Sequence, residues 1–348
     1  MTGFSQDPRK VRLGVAGMTH GHVNWILGSM EGRNYEVVGF AEKNDTLARR
    51  LFSNYNISEE LRYHDLTELI QQTAPDGILA FNSIYEHREV VEISAPLGIH
   101  VMVEKPLAVN PDHASEMAGL AKEHDIFLLT NYETTWYGTT PRVMDEIVDK
   151  RTIGDVRKIV VRDGHQGPRE IGVNNEFFVW LTDPELNGGG ALIDFGCYGA
   201  NLITRIMENQ RPGTVTAVTQ QIKPHIYPDV DDEATIILTY PNTVGIIQAS
   251  WNWPFSRKDM DVYGTAGAVY QYDRDEMAVS INQQTEKIRT PAREFPSQNP
   301  FTYFAAVILR EIKVMPEDLS SLENNLIVVE ILDAARRSAK DGKRIDLE

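Results

Sequence analysis

Five short apolar runs in the first 131 residues, each followed by a stretch with helix-start signals, constrain the fold of this chain more than any other feature. The runs are VRLGVAG (11–17), YEVVGFA (35–41), DGILAF (76–81), HVMVE (100–104) and IFLLTN (126–131). They are apolar at consecutive positions, so both faces need covering, as in a parallel sheet with crossover helices. Between them, Asp65 with Glu68 three residues on has the form of a capping box, and Asn110-Pro111 places proline at a first helical position. A doubly wound α/β unit over residues 1–131 is predicted.

Beyond Thr140-Pro141 the texture changes. Alternating segments at 156–163, 214–222, 234–240, 244–251, 259–263 and 268–272, divided by Pro241-Asn242 and Gly264–Gly267, predict a large, mostly antiparallel open sheet. A helix over 190–207 behind three glycines interrupts it, a closing helix runs over about 322–340 between Ser321 and Gly342, and the polar stretch 283–300 reads as a surface loop. At 348 residues, two units are the natural division, the second an α+β domain over 132–348.

Charge narrows the function classes. Fifty acidic against 34 basic side chains give −16, and no basic cluster offsets it, so neither nucleic acid nor an anionic membrane is an expected partner. No apolar run approaches the roughly 20 residues that span a bilayer. The stretch MTGFSQDPRKVRLGVAG lacks the apolar core of a signal peptide, and Cys197 is the single cysteine, so a soluble cytoplasmic setting is expected.

The first run ends in Gly14-Val-Ala-Gly17-Met-Thr-His-Gly21-His22, where a dinucleotide-binding unit presents its phosphate loop. Counting from Gly17, Thr19 and His22 stand at the second and third glycine positions of G-x-G-x-x-G. Gly17, Met18, Thr19, His20 and His22 are therefore cofactor candidates, joined by Asn82 and His87 beyond the third run. Glu42, about 25 residues after Gly17, is placed to grip the adenosine ribose hydroxyls and favours NAD; Lys43 beside it could pair with the 2′-phosphate of NADP. No metal site is expected, because no nearby carboxylate or thiolate joins His20 and His22.

The sharpest motif is Glu104-Lys105-Pro106 at the carboxyl end of a buried strand, the edge where open α/β sheets hold ligands. Desolvation is expected to draw the Lys105 pKa down, while Glu104 opposes that shift. In the 190–207 helix, Asp194, Tyr198, Asn201 and Arg205 share one face, as a ligand-facing polar stripe would.

Glu104-Lys105-Pro106 followed by Gly188-Gly-Gly190-x-x-x-Asp194-x-Gly-x-Tyr198 resembles the Gfo/Idh/MocA family, named after glucose–fructose oxidoreductase and inositol dehydrogenase. Asp76-Gly, His87, Ile153-Gly-Asp-Val, Asp231-Asp232, Ala249-Ser-Trp251 and Ala334-Ala-Arg-Arg-Ser338 extend the resemblance over nearly the whole chain. It implies an N-terminal Rossmann domain, a C-terminal domain with a large open sheet, and a nicotinamide cofactor in the cleft. It also implies that Lys105 is the catalytic lysine, with Asp194 and Tyr198 binding and protonating the substrate.

The expected reaction is hydride transfer between NAD, or NADP, and a secondary alcohol of a sugar, polyol or sugar derivative. Tyr198 is expected to act as the base, helped by the Lys105 cation and a helix dipole. Substrate contacts are expected from Asn131, Tyr132, Asp163, His165, Trp180 and Asn201. The alternatives are a glycoside hydrolase working through transient oxidation by NAD, and a non-catalytic nucleotide or sugar sensor. An open sheet face needs covering, so a homodimer or homotetramer is expected.

Overall fold

The computed structural model describes residues 9–347; residues 1–8, part of the stretch read above for a leader, lie outside them. The first sheet has six strands: β1 (Val11–Ala16), β2 (Tyr35–Ala41), β3 (Arg62–Tyr63), β4 (Gly77–Ala80), β5 (His100–Glu104) and β6 (Leu128–Asn131). All neighbours are parallel in the order β3-β2-β1-β4-β5-β6. Its crossovers include α1 (Val23–Leu27), α2 (Asp45–Tyr55), α3 (Leu66–Thr73), α4 (His87–Ser94) and α5 (Pro111–Glu123). Local chemistry starts two of them as anticipated: the Asp65 side chain accepts the N–H of Glu68, and Asn110 accepts that of His113 ahead of Pro111. Chain order reverses between β1 and β4, which opens a crevice at their carboxyl ends.

The remaining elements are α6 (Thr139–Met144), β7 (Val156–Gly164), α7 (Asn175–Leu181), α8 (Ala191–Asp194), α9 (Gly196–Ile206), β8 (Thr214–Gln220), β9 (Glu233–Thr239), β10 (Val244–Ser250), β11 (Arg257–Gly264), β12 (Gly267–Gln271), β13 (Glu276–Ile281), β14 (Gln284–Arg289), α10 (Pro300–Ile308), α11 (Leu322–Asp341) and β15 (Ile345–Asp346). The second sheet runs β14-β13-β12-β11-β7-β10-β9-β8-β15, antiparallel except where β10 lies parallel to β7. Ile159, Val161, Ile236 and Ile247 on its inner face pack with Ile203 of α9 and Ile331 of α11 into one core. Among the described residues no helix is long and apolar enough to cross a membrane.

Two expectations need correction, and one packing was not anticipated. The stretch 283–300 is not all loop: β14 pairs with β13 as a hairpin. As an edge strand it is exposed and polar along nearly its whole length, so no alternation marks it. The expected 190–207 helix breaks at Phe195 (φ −109°, ψ −28°), which releases the Asp194 carbonyl to accept Lys105 Nζ at 2.8 Å. Finally, α10 returns to the first sheet, where Phe304 and Val307 join the core of Val11, Leu13 and Leu79. A Cβ on Gly77 would meet the Phe304 ring and the Ile308 side chain at 2.9 Å, so a larger residue there would push α10 side chains aside.

Candidate active site

The turn after β1 is built by backbone. Gly17 has φ +74°, and a Cβ there would come within 2.6 Å of the Asn82 Cβ, so conformation and space both demand glycine. Next to it, the Met18 N–H donates to Glu42 Oε2 at 2.7 Å, and the Asn44 N–H donates to Glu42 Oε1 at 2.7 Å. Glu42 is buried, and desolvation raises its pKa against the pull of those two N–H groups. Its carboxylate thus braces the loop, each oxygen holding one backbone N–H and keeping a further lone pair, while Glu42 borders the groove beside Gly17.

A cavity of about 360 Å³ lies in the crevice, bordered by Gly17, Thr19, Glu42, Lys43 and Asn82. Asn82 Oδ1 is buried there with no partner among the described residues. A nucleotide fits this setting: volume within the roughly 300–1,000 Å³ of ligand pockets, a glycine turn, an unpaired acceptor and the exposed Lys43 cation at the rim.

A hydrogen-bonded chain continues from the loop. His20 N–H donates to the Phe81 carbonyl at 2.8 Å, and His20 Nδ1 accepts the His22 N–H at 3.1 Å. His22 Nδ1 meets Glu104 Oε2 at 2.9 Å, Asn131 Nδ2 donates to Glu104 Oε1 at 2.6 Å, and Trp136 Nε1 donates to Asn131 Oδ1 at 2.8 Å. Burial pushes the Glu104 carboxyl up, but His22, His20 and the Asn131 amide outweigh it and hold it at about 2. Burial likewise drives His20 well below the ordinary histidine range.

His20, His22 and Glu104 have donor atoms within 4.8 Å of one another, which corrects the expectation that no carboxylate stands near the two histidines. The hydrogen bonds nonetheless commit these atoms. An Nδ1 that accepts an N–H leaves neutral His20 with its proton on Nε2, and both Glu104 oxygens are taken. The trio as folded is a relay of hydrogen bonds.

Where the sheets meet, Lys105 Nζ forms an ion pair with Asp194 Oδ1, and Asp194 Oδ2 accepts Trp251 Nε1–H at 2.9 Å. All three residues are buried. Burial alone would lower the Lys105 pKa, but the adjoining Asp194 carboxylate reverses the sign and raises it, contrary to the expected depression. Lys105 Nζ stands 5.1 Å from the Tyr198 ring centroid and Lys258 Nζ 4.7 Å from it. Tyr198 is nevertheless pushed well above the ordinary tyrosine value by burial, then by Glu133, opposite in direction to the lowering expected from the Lys105 cation.

Lys258 also pairs with Glu133, whose other oxygen accepts the Tyr137 hydroxyl at 2.9 Å. Directly opposite Lys258 in the sheet, Asp163 is fully buried, with both oxygens unpaired among the described residues. Burial raises its pKa well above the ordinary aspartate value, against the pull of Lys258. His165 lies edge-on to Phe195 at 4.9 Å and is pushed down to about 4 by burial. Tyr132 lies edge-on to Tyr198 at 5.4 Å.

The fold therefore gathers Lys105, Asp194, Tyr198, Tyr132, Asp163 and His165, and separately links His20, His22, Glu104 and Asn131. Three candidates fall elsewhere. Asn201 Nδ2 donates to the Leu319 carbonyl at 2.8 Å and to Asn324 Oδ1 at 2.7 Å, between α9 and α11. Trp180 Nε1–H is committed to Thr19 Oγ1 at 3.0 Å, tying α7 to the loop. Buried His87 lies 3.2 Å through Nδ1 from the Leu107 carbonyl and braces the turn after Lys105. Sequence reading missed Glu133, Tyr137, Trp136 and Lys258, which carry no local motif; the Trp251 motif was noted but given no role.

Comparison with known proteins agrees with this geometry. Residues 11–132 match the family described as "Oxidoreductase family, NAD-binding Rossmann fold", and residues 142–270 match the "GFO/IDH/MocA C-terminal domain". A trans-1,2-dihydrobenzene-1,2-diol dehydrogenase of Xenopus tropicalis is 26% identical over 324 residues, covering 89% of this chain and 91% of its own. The Bos taurus enzyme of the same name is 28% identical over 240 residues, 67% of this chain and 66% of its own. An inositol dehydrogenase homologue from Azotobacter vinelandii, solved with NAD+, superposes with a TM-score of 0.84 at 16% identity over 100% of both chains. The aldose–aldose oxidoreductase of Caulobacter crescentus, solved with glycerol, gives 0.81 at 20% identity over 97% of this chain and 100% of its own. At these identities the superpositions speak to the fold.

Proposed function

The chain belongs to the Gfo/Idh/MocA oxidoreductase family, and from that premise we propose that it moves a hydride between NAD and a secondary-alcohol carbon of a neutral sugar, polyol or sugar derivative. The observation that carries this reading is the Lys105 ammonium seated on Asp194 at the carboxyl edge of the first sheet, next to Glu104 and the Gly17 groove. Bound NAD supplies hydride acceptance or donation at its nicotinamide.

The residues of the chain handle the proton. Lys105 and Tyr198 are assigned to the oxygen of the reacting carbon: in reduction one of them gives its proton to the carbonyl oxygen as the hydride arrives, and in oxidation the same group, deprotonated, takes the hydroxyl proton as the hydride leaves to NAD. Asp194, occupied by Lys105 and Trp251, is a positioning residue that fixes the ammonium. Asp163, the Lys258–Glu133 pair and His165 flank Tyr198 and are assigned to neighbouring substrate hydroxyls; Tyr132 packs behind it. Gly17, Met18, Thr19, Glu42, Asn82 and Lys43 are assigned to the nucleotide, and His20, His22 and Glu104 to its nicotinamide end. Lys43 also gives NADP a partner for its 2′-phosphate.

The same reading divides the chain at residue 131 into a cofactor unit and a substrate unit, with α10 lent back to the first. The outer face of the second sheet exposes Val218 at 63%, Ile237 at 37% and Tyr263 at 36%, a surface suited to a second copy of the chain; light scattering that returns a monomer would remove this part. A cytoplasmic setting is part of the reading. The test of the whole is to follow reduced nicotinamide with NAD and NADP across a panel of neutral polyols and sugars. Turnover with at least one, lost in Lys105→Ala, is expected. Tight NAD binding with no turnover on any of them would sink the reading.

A further inference from the structure

A second cavity, of about 250 Å³, opens beside Glu133, with Trp25, Trp136, Arg274 and Gln298 among its walls. Its position follows from contacts already described. Glu133 is held by Lys258, which lies 4.7 Å over the Tyr198 ring, so one carboxylate borders both the reacting centre and this cavity. On the other side, Trp25 is stacked on His22 at 3.9 Å and 14°, and His22 holds Glu104, the neighbour of Lys105.

The walls combine two fixed indoles with polar groups of both signs. Trp136 is anchored by its N–H to Asn131 and by the Tyr303 ring at 5.3 Å; Trp25 is held by His22. Rigid aromatic faces bind flat apolar surface at little entropic cost. Arg274 stands 3.6 Å from Glu133, so the wall sets a cationic donor beside a carboxylate acceptor; a hydroxyl can use both, whereas a phosphate or carboxylate would face Glu133. A hydrocarbon would bury Glu133 and Gln298 without replacing their hydrogen bonds to water. A ligand with apolar C–H faces and a rim of neutral hydroxyls satisfies both kinds of wall. The volume lies below the roughly 300–1,000 Å³ that enclose a drug-sized molecule, which suits one ring.

We propose that this cavity is a subsite for a second, neutral glycosyl ring, carried by a substrate whose reacting ring lies at Tyr198 and Lys105. The inference rests on the function proposed above. Substrates of this kind are disaccharides or glycosides, and Glu133 is the hinge between their two rings.

Saturation-transfer NMR on the NAD-loaded protein tests it, with glucose, methyl glucoside, maltose, cellobiose and lactose as probes. At least one disaccharide is expected to receive saturation in both rings. Arg274→Ala and Gln298→Ala, each on the cavity wall, are each expected to lower affinity for that disaccharide relative to its monosaccharide by roughly tenfold, as for loss of one hydrogen bond to a charged or polar group. Saturation confined to one ring, equal losses for both sugars in both variants, or no binding of any disaccharide overturns the subsite. Hydride transfer is followed separately in the same samples. Turnover with single-ring contact defeats the subsite alone, whereas two-ring contact without turnover defeats the oxidoreductase reading alone.

Discussion

The groove at Gly17 and the centre at Lys105 lie on the same sheet edge but are made differently. The groove is shaped by main chain: a positive-φ glycine, the Met18 N–H on Glu42 and the His20 N–H on Phe81. The centre is shaped by buried side chains from distant segments, with Lys105 and Asp194 89 residues apart and Trp251 another 57 beyond Asp194. Backbone sites tolerate side-chain variation, which is how Thr19 and His22 can stand where glycines are usual. Buried side-chain sites do not, because each charged partner removed leaves another unpaired in low dielectric.

The largest expected effect is at the centre. Lys105→Ala is expected to lower kcat/KM by about 10²–10⁴, the usual contribution of a positioned proton donor, while calorimetry finds NAD affinity within a few-fold of the native value. A comparable loss of NAD affinity would erase the distinction between the two regions. The next effect concerns His87, which supports the turn after Lys105 and is lowered to about 4 by burial. Its unfolded value is about 6.5, so above that pH neither state is protonated and no penalty applies. As pH falls from about 6.5 towards 4 the unfolded chain takes up a proton that the folded one refuses, and stability declines by up to about 1.4 kcal/mol per pH unit from this group. Urea titrations of His87→Gln are expected to show a shallower acid slope than the native protein; an unchanged slope would remove His87 from the account.

At the groove, Gly17→Ala forces a left-handed conformation costing roughly 1–2 kcal/mol and a clash with Asn82, so NAD affinity is expected to fall about tenfold by calorimetry. If alanine there is harmless, the loop is not held by backbone geometry. Smallest is Lys43→Ala: an exposed side chain at the rim is expected to change NAD affinity less than about threefold, and NADP affinity more, because only the 2′-phosphate needs the cation. Equal changes for both nucleotides would take Lys43 off the phosphate.

Legibility in the sequence followed the same division. The strands of the first sheet were visible as apolar runs, and Glu104-Lys105 at the end of one marked the ligand edge. The Asp194–Tyr198 spacing was also visible, yet its partner geometry was not, since a helix pattern gives no sign that Phe195 breaks it. Glu133, Tyr137 and Lys258 lie in unremarkable segments and acquire meaning only beside Tyr198. Asn201 shares the spacing of the stripe but turns to α11, because the break after Asp194 separates the two directions.

By itself the sequence determined the fold class, the ligand-bearing edge and the lysine at its centre. Those depend on local hydrophobic patterning and on which residue ends a strand, both properties of neighbours in the chain. Tertiary structure alone decided that Glu42 braces the loop, that the Lys105 pKa is raised rather than lowered, that the Tyr198 pKa rises and that α10 completes the first core. Each of these is a balance between desolvation and a partner brought from far along the chain, and neither side of that balance exists until the chain has folded.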